Sequence, residues 1–230
     1  PFNRVSVYLS LCAVSNHIKR YKRKEYIAHR DFTPIECLPD DCLIKDYQVD
    51  LPWEKAKYSI NKGLWGTSVG GQETLTSHTG LPSEAYPSQL VKNEAADVKL
   101  TFEKGELIAV NDEKDSHVNN IEALEKLASA YAIGRDIHVG DTIIGIKGRV
   151  GFEAAAPLVI IKAHHLLEKH TLTKWQQHHK EQLGNWYGML LHEGQYLDEV
   201  MRNFETFLTD TQKNVSGDVF VTLHPYRYTL

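Results

Sequence analysis

The clearest alternation of apolar and polar positions lies near the middle of the chain. Residues 98–102 and residues 106–110 alternate in this way on either side of a short segment that contains Gly105. Successive side chains of a strand point to opposite faces of a sheet, and glycine is favoured in tight turns, so this pattern predicts a β-hairpin. Two apolar runs, residues 142–146 and residues 218–223, predict further strands, the first of them buried.

Apolar residues three and four positions apart predict a helix after residue 118. Its cap is Asn119 or Asn120, because an amide side chain can accept a hydrogen bond from a free backbone N–H at a helix start. Its apolar positions are Ile121, Leu124, Leu127 and Ala128. Upstream, residues 50–54 predict a short helix, whereas the glycine density of residues 62–71 predicts a loop.

Two longer helices are predicted at about 154–169 and 173–191, with Thr171 or Thr173 as the cap between them. The first is apolar on nearly every side at its start, so we expect it to be central. Helical spacing resumes at residues 200–208. Strands and helices therefore come in clusters and not in a regular β-α-β alternation, which favours an α+β fold with a largely antiparallel sheet and packed helices.

The first 50 residues differ from the rest of the chain. They contain all three cysteines, a basic run at residues 19–24 and no sustained periodicity. We therefore expect two parts, an atypical segment at residues 1–50 and a folded domain at residues 51–230. The odd number of cysteines, without zinc-type pairs, suits a reducing compartment, so the expected location is the cytoplasm.

Charge and hydropathy narrow the choice of partners. The chain has 30 acidic and 26 basic residues, and its formal charge of −4 argues against nucleic acid or an anionic membrane as a partner. The apolar run at residues 5–14 is too short to span a bilayer, and a basic cluster follows it instead of preceding it. Small molecules and other proteins are the expected partners.

The 12 histidines raise the question of a metal site. Two pairs are adjacent in sequence, so their side chains point about 100° apart on a helix, whereas helical zinc sites place two histidines four residues apart. We therefore expect no metal site. The residues considered are His164, His165, Glu168, His170, His178, His179 and His192.

The glycine-rich segment admits two interpretations. Backbone amides around Gly70 and Gly71 could cradle a phosphate, but the Gly-x-x-x-x-Gly-Lys-Ser/Thr pattern is absent, so a structural loop is favoured. Short polar side chains near it could bind an amino acid or could simply stabilise turns. They are Ser59, Asn61, Thr67, Ser68 and Thr74.

Lys147, Arg149 and Glu153 lie between the strand predicted at residues 142–146 and the apolar helix that follows. Side chains at such a junction can meet a ligand that carries a carboxylate. Ion pairs at the protein surface account for the same residues equally well. The sequence leaves both interpretations open.

Several segments resemble the argininosuccinate synthases. The most specific are Tyr-Ser-Ile-Asn-Lys-Gly-Leu-Trp-Gly-Thr-Ser at residues 58–68 and Gly-Ile-Lys-Gly-Arg-Val-Gly-Phe-Glu at residues 145–153. The resemblance extends over about residues 51–230 and implies the α+β synthetase domain of that family. Its other matching segments are residues 133–137, 162–164, 182–184 and 194–198.

The resemblance implies carbon–nitrogen ligation. In that family ATP, with Mg²⁺, activates the ureido oxygen of citrulline as a citrullyl-adenylate, and the amine of aspartate then displaces AMP. Two serines of the family contact citrulline, and Ser59 and Ser68 stand at the matching positions. Gly140 and Phe152 also match substrate-binding positions, but family members often carry glutamate and tyrosine there. These departures imply a relaxed or changed substrate, such as an N-acylated citrulline.

The resemblance also implies partners. The Ser-Gly-Gly-x-Asp-Ser loop of the family's nucleotide-binding domain has no counterpart in residues 1–50, so we expect the ATP site outside this chain. We expect a substrate-binding domain for citrulline and aspartate, inactive alone, whose full enzyme is a homo-oligomer; no catalytic residue is assigned. The alternative is a non-catalytic or vestigial binding domain. The aromatics expected at the surface are Trp65, Tyr86, Trp186 and Tyr187.

Overall fold

The computed structural model describes residues 57–230. The atypical segment at residues 1–50 and the short helix predicted at residues 50–54 lie outside the described residues. Within residues 57–230 the chain forms two antiparallel sheets and four α-helices, which confirms the α+β fold with packed helices. No helix in this range is long and apolar enough to cross a membrane.

The elements are numbered in chain order. The strands are β1 (Ser59–Gly63), β2 (Gly66–Gly70), β3 (Ala96–Glu103), β4 (Glu106–Val110), β5 (Glu113–Lys114), β6 (Arg135–Asp141), β7 (Lys147–Glu153), β8 (Gly217–His224) and β9 (Arg227–Thr229). The helices are α1 (His117–Ser129), α2 (Ala155–Thr171), α3 (Lys174–His192) and α4 (Glu199–Thr211). Two short 3₁₀ turns, Gln72–Leu75 and Ser83–Ala85, follow β2.

The two sheets differ in the number and order of their strands. One has four strands in the order β1-β2-β7-β6, and the other has five in the order β5-β4-β3-β8-β9. The predicted hairpin is β3 and β4 and is confirmed, with a register shift between Thr101 and Phe102. On its other side β3 pairs with β8, from Ala96 opposite Leu223 to Phe102 opposite Gly217. The centre of the larger sheet therefore joins distant parts of the sequence.

The main core lies between the five-stranded sheet and helices α1 and α2. Helix α2 contacts β2, β3 and β8, so it touches both sheets, and the prediction that it is central is confirmed. Four of its side chains are small or β-branched, have no solvent exposure and allow close packing against the strands. They are Ala155, Ala156, Val159 and Ala163.

The helix caps agree with the sequence at α3 and differ at α1. Thr173 caps α3: its Oγ1 accepts a hydrogen bond from the Gln176 N–H at 3.3 Å, and the Gln176 side chain accepts one from the Thr173 N–H at 2.9 Å. At α1 the Ser116 hydroxyl accepts from the Asn119 N–H at 3.2 Å. The caps predicted at Asn119 and Asn120 are therefore wrong, because a serine three residues earlier satisfies the same free N–H groups.

Two segments form elements other than the predicted ones. Residues 62–71, predicted as a loop, contain the end of β1 and all of β2, because backbone pairing in a hairpin does not depend on side chains. Residues 142–146, predicted as a buried strand, form the turn between β6 and β7. There the Thr142 N–H donates to the Ile146 carbonyl at 2.9 Å, Gly145 has a φ of +78°, and Ile144 is 66% exposed.

The aromatics expected at the surface divide into three groups. Trp186 is 62% exposed, whereas Trp65 and Tyr187 are half-buried. Tyr86 is buried in a small second core with Val69, and the expectation is wrong for this residue. Its ring also lies under the guanidinium of Arg135, 4.9 Å from the ring centroid, so the neighbouring strand covers it.

Candidate substrate site

The strand register places the four predicted substrate-binding residues on one face of the four-stranded sheet. Ser68 lies opposite Phe152 on β7, and Phe152 lies opposite Asp136 on β6. Opposite residues in antiparallel strands share a face, and so do residues two or four positions apart along a strand. Ser59 lies opposite the residue two positions after Ser68, and Gly140 lies four positions after Asp136. We call this surface the Ser68 face.

The solvent exposure of the Ser68 face increases from Ser68 and Phe152 to Ser59. Ser68 has no solvent exposure and Phe152 is 5% exposed, whereas Ser59 is exposed. The Phe152 ring packs over the β1–β2 hairpin, since a Cβ added at Gly66 would lie 2.7 Å from its Cζ atom. A hydroxyl beside an aromatic ring and away from water makes stronger hydrogen bonds than a solvated one. The buried end therefore combines a polar group with an apolar wall.

Glycines leave part of the same face without side chains. Gly70 lies opposite Ser59, and Gly148 lies opposite Gly140. A Cβ at Gly70 would come no closer than 3.8 Å to another atom, and one at Gly148 no closer than 3.7 Å. A ligand can therefore approach the backbone between β1 and β6 at a distance that side chains would forbid.

Two histidines stand at the β6 edge of the face. His138 lies on β6 two residues after Asp136, so it shares the face, and it is half-buried. His192, near the end of α3, is 8% exposed, and its Nε2 lies 3.1 Å from the Asp141 carbonyl oxygen. Burial and then the neighbouring His192 lower the pKa of His138, while Asp136 opposes them. The imidazole of His138 is therefore neutral at pH 7.

Arg149 and Glu153 lie on the opposite face of the sheet from Ser68. Both are an odd number of residues from Phe152 along β7, so their side chains point the other way. The Arg149 guanidinium donates to the carbonyl of Thr79 at 2.7 Å. The Glu153 carboxylate accepts from the Ser88 N–H at 3.1 Å and from Arg135 Nε at 3.2 Å. These hydrogen bonds hold the segment that follows β2 against the four-stranded sheet.

Lys147 has the same orientation as Arg149 and forms an exposed ion pair with Asp141, at 2.7 Å. Together with the buried pair of Arg135 and Glu153, this contact supports the ion-pairing interpretation of the junction residues. The side chains of Lys147, Arg149 and Glu153 point away from the face that carries the two serines, because residue alternation along β7 separates them from Ser68.

Among the other polar candidates near the glycine pair, Asn61 lies opposite Ser68 and shares its face. Thr67 lies opposite Glu153, on the far face, and Thr74 donates to the Gly71 carbonyl at 2.7 Å. A strand does run into the glycine pair, but it continues into a 3₁₀ turn and not into a helix. In the described part of the chain, no three His, Cys, Asp or Glu side chains are close enough together to hold a metal ion.

Two hollows in the described surface lie away from the four predicted residues. The wider one runs along α4 and is lined by Arg202, Glu205, Thr206, Thr209, Asp210 and Lys213. The second lies beside the turn between β3 and β4 and includes Trp65, Phe102, Glu106, His117, Ile121 and His164. Neither includes one of the four predicted residues.

Known proteins resemble most of the described chain. The family described as Arginosuccinate synthase C-terminal domain matches residues 58–229. The chain belongs to the argininosuccinate synthase family. The argininosuccinate synthase of Dictyoglomus turgidum is 35% identical over 177 residues, which cover 76% of this chain and 45% of the relative. That of Methanocaldococcus jannaschii is 32% identical over 184 residues, covering 78% of this chain and 46% of the relative.

The chain therefore spans about half the length of the curated relatives that it matches. Its membership of the argininosuccinate synthase family assigns it to a family of ligases through the C-terminal domain. The matched region begins immediately before β1 and ends in β9, so it includes every strand of the Ser68 face.

Sequence reasoning missed one residue of this face. His138 was not singled out among the histidines because β6 was not predicted as a strand. The signal is the spacing between His138 and Gly140, because residues two positions apart in one strand share a face. Once β6 is known, His138 is the side chain next to a position that resembles a substrate contact of the argininosuccinate synthase family.

Proposed function

We propose that this chain binds citrulline on the Ser68 face, as the substrate-binding domain of an argininosuccinate synthase that joins citrulline to aspartate in arginine biosynthesis. One observation carries the proposal: Ser59, Ser68, Gly140 and Phe152 come from four different strands and share that face. Family membership supports the same class of reaction.

The chemistry of the face suits a ligand with polar ends and an apolar middle. A serine hydroxyl can donate to a carboxylate and can accept from an ammonium group. The ring of Phe152 offers an apolar wall for the methylene groups of citrulline. The bare backbone at Gly70 and Gly148 gives the ligand room to lie flat on the sheet.

ATP, Mg²⁺ and aspartate complete the proposed reaction. ATP would transfer AMP to the ureido oxygen of citrulline and release pyrophosphate. The aspartate amine would then attack the ureido carbon, and AMP would leave with that oxygen. The glycine pair does not suit a phosphate, because a Cβ at Gly71 would lie 2.7 Å from the Tyr58 ring and that glycine therefore packs against protein.

We therefore place ATP on a nucleotide-binding domain, and that domain becomes the first proposed partner of this chain. A homo-oligomer is the second, since the exposed Trp186 and the exposed isoleucines of the β6–β7 turn are apolar surface that another subunit can cover. The cysteine usage supports a cytoplasmic location.

Titration of the 230-residue chain with L-citrulline tests the binding step. We expect saturable binding at millimolar ligand or below, as is common for enzyme substrates. L-Ornithine, which lacks the ureido group, should bind more weakly. In NMR spectra the amide signals of Ser68 and Phe152 should shift, whereas those of Leu100 in the other sheet should not. No saturation with citrulline, or shifts confined to the other sheet, would contradict the proposal.

A second assay separates an enzyme from a non-catalytic binding domain. The chain is combined with the separately produced part of the Dictyoglomus turgidum synthase that it does not match, and AMP release from ATP is measured with both amino acids. We expect release that needs citrulline and aspartate together. Citrulline binding without AMP release in any such mixture would favour the non-catalytic alternative.

A further inference from the structure

One side of helix α3 is exposed from its first turn to its C-cap and carries two tryptophans. Trp175 and Trp186 are 63% and 62% exposed, and Met189 is 52% exposed. Because successive residues of a helix are about 100° apart, six exposed side chains project within an arc of about 80°. We call this surface the Trp186 stripe: Trp175, His179, Gln182, Trp186, Met189 and Glu193.

Helix α3 packs against the rest of residues 57–230 through its other side. It contacts α4, where the Tyr187 hydroxyl donates to Glu205 at 2.9 Å. Single exposed apolar side chains are common, but two tryptophans about 16 Å apart on one side of a helix are typical of an interface. The buried residues of α3 recur every four positions opposite the stripe: Lys180, Gly184, Gly188 and His192.

The order of side chains along the Trp186 stripe suits a second copy of the same stripe running antiparallel. With Gln182 on the twofold axis, Trp175 would lie opposite Met189 of the other copy, and thioether sulfur packs well against aromatic rings. Trp186 would lie opposite the adjacent His178 and His179 of the other copy. Gln182 would meet its own copy, and an amide suits this position because it can both donate and accept.

The charges at the two ends of the stripe are complementary in the same arrangement. Lys174 at the start of α3 would come within one helical turn of Glu193 at the end of the other copy, and the twofold axis gives this pair twice. A parallel arrangement would place like charges together at both ends. Antiparallel helices also bring the partial positive charge of one N-terminus next to the partial negative charge of the other C-terminus.

The available area is enough for a weak dimer. Four exposed tryptophan rings contribute roughly 500 Å², and the other stripe residues bring the total to about 1,000 Å², the lower end for a specific interface. We infer that the Trp186 stripe joins two copies of this chain through an antiparallel pair of α3 helices. This inference assigns a surface to the proposed homo-oligomer and does not depend on the citrulline site.

Sedimentation velocity of the 230-residue chain at rising micromolar concentrations tests the pairing. We expect a monomer–dimer equilibrium, and Trp186→Ser should raise its dissociation constant at least about tenfold. The matched control is Phe220→Ser on β8, where the side chain is 68% exposed and the equilibrium should not change. Lys174→Glu should weaken the dimer, and Lys174→Glu/Glu193→Lys should restore it. Thermal melting identifies a variant that does not fold.

Cross-linking tests the antiparallel arrangement in a chain whose three cysteines are replaced by serine. A short thiol-reactive cross-linker should join two copies of Gln182→Cys, but not two copies of Glu122→Cys, which is exposed on α1. A chain that stays monomeric, a dimer that Trp186→Ser leaves unchanged, or cross-linking at residue 122 and not at 182 overturns the inference. Citrulline binding by a monomeric chain would leave the proposed function standing, whereas a dimer that binds no citrulline would remove the proposed function alone.

Discussion

Lys180 on α3 forms an ion pair with Glu168 on α2, and the two side chains are only 2% and 3% exposed. Gln212, at the end of α4, donates from Nε2 to the same carboxylate oxygen at 2.8 Å. Burial lowers the pKa of Lys180 to about 8, although the neighbouring Glu168 opposes the change. One carboxylate therefore connects three helices inside the protein.

Breaking this pair on one side should destabilise the protein strongly. Lys180→Met leaves the Glu168 carboxylate buried without its cation, and the free energy of unfolding should fall by about 3–5 kcal/mol. The double variant Lys180→Met/Glu168→Met should recover most of the loss. Urea denaturation measures both. The control is Lys147→Met at the exposed pair with Asp141, where the change should be under about 1 kcal/mol. Additive losses in the double variant would contradict the prediction.

Stability should depend on pH through His164. Burial, then the charge of Lys180, lowers the pKa of His164 to about 3 from an ordinary value of 6.5. Between pH 6.5 and pH 3, His164 is protonated in the unfolded chain and unprotonated in the folded chain. The free energy of unfolding therefore falls as the pH falls below 6.5, and this loss is complete near pH 3. The slope approaches about 1.4 kcal/mol per pH unit.

The variant His164→Gln should remove that part of the slope. Denaturation between pH 6.5 and pH 5 is the informative range, because most carboxylates stay ionised there. A slope that is the same in the variant and the unmodified chain would assign the pH dependence to other groups.

Two glycines with the same backbone conformation should respond differently to alanine. Gly134 has a φ of +85° and Gly145 a φ of +78°, values that cost any other residue about 1–2 kcal/mol. A Cβ at Gly134 would also lie 2.6 Å from the backbone of Ala154, whereas one at Gly145 meets nothing. Gly134→Ala should therefore lower the melting temperature much more than Gly145→Ala. Equal shifts would refute the packing argument.

The two serines of the candidate site should contribute unequally to ligand affinity. Ser68→Ala removes a hydroxyl from a buried position and should weaken citrulline binding by about 1–3 kcal/mol. Ser59→Ala should cost less, because Ser59 is exposed and water can replace its hydroxyl. Ser83→Ala, exposed near the segment after β2, is the matched control. Unchanged affinity in both site variants would remove the serines from the site.

Local pattern predicted much of the fold. Helix α3 and its Thr173 cap followed from apolar spacing and a hydroxyl side chain, both of which act within a few residues. The β3–β4 hairpin followed from alternation around Gly105. The turn at residues 142–146 was missed because an apolar run indicates strand propensity without indicating exposure, and Ile143 and Ile144 face solvent.

Only part of the candidate site could be predicted from the sequence. Ser59 and Ser68 could be named from a resemblance, but the face they share with Phe152 depends on the register of β1, β2 and β7. A shift of one residue in the pairing of two strands would move the side chains of one strand to the other face of the sheet. Local sequence pattern does not fix the register between strands so far apart in sequence. His138 could not be placed beside them for the same reason.

The pairing of β3 with β8 has a consequence for the order in which the protein is made. Residues 96–102 leave the ribosome long before residues 217–223, and at usual rates of synthesis the interval is on the order of ten seconds. During that time one edge of β3 has its backbone N–H and C=O groups open to any other strand, including that of a neighbouring nascent chain. A circular permutant that places β8 just before β3 would remove the interval, because the two strands would then be synthesised together.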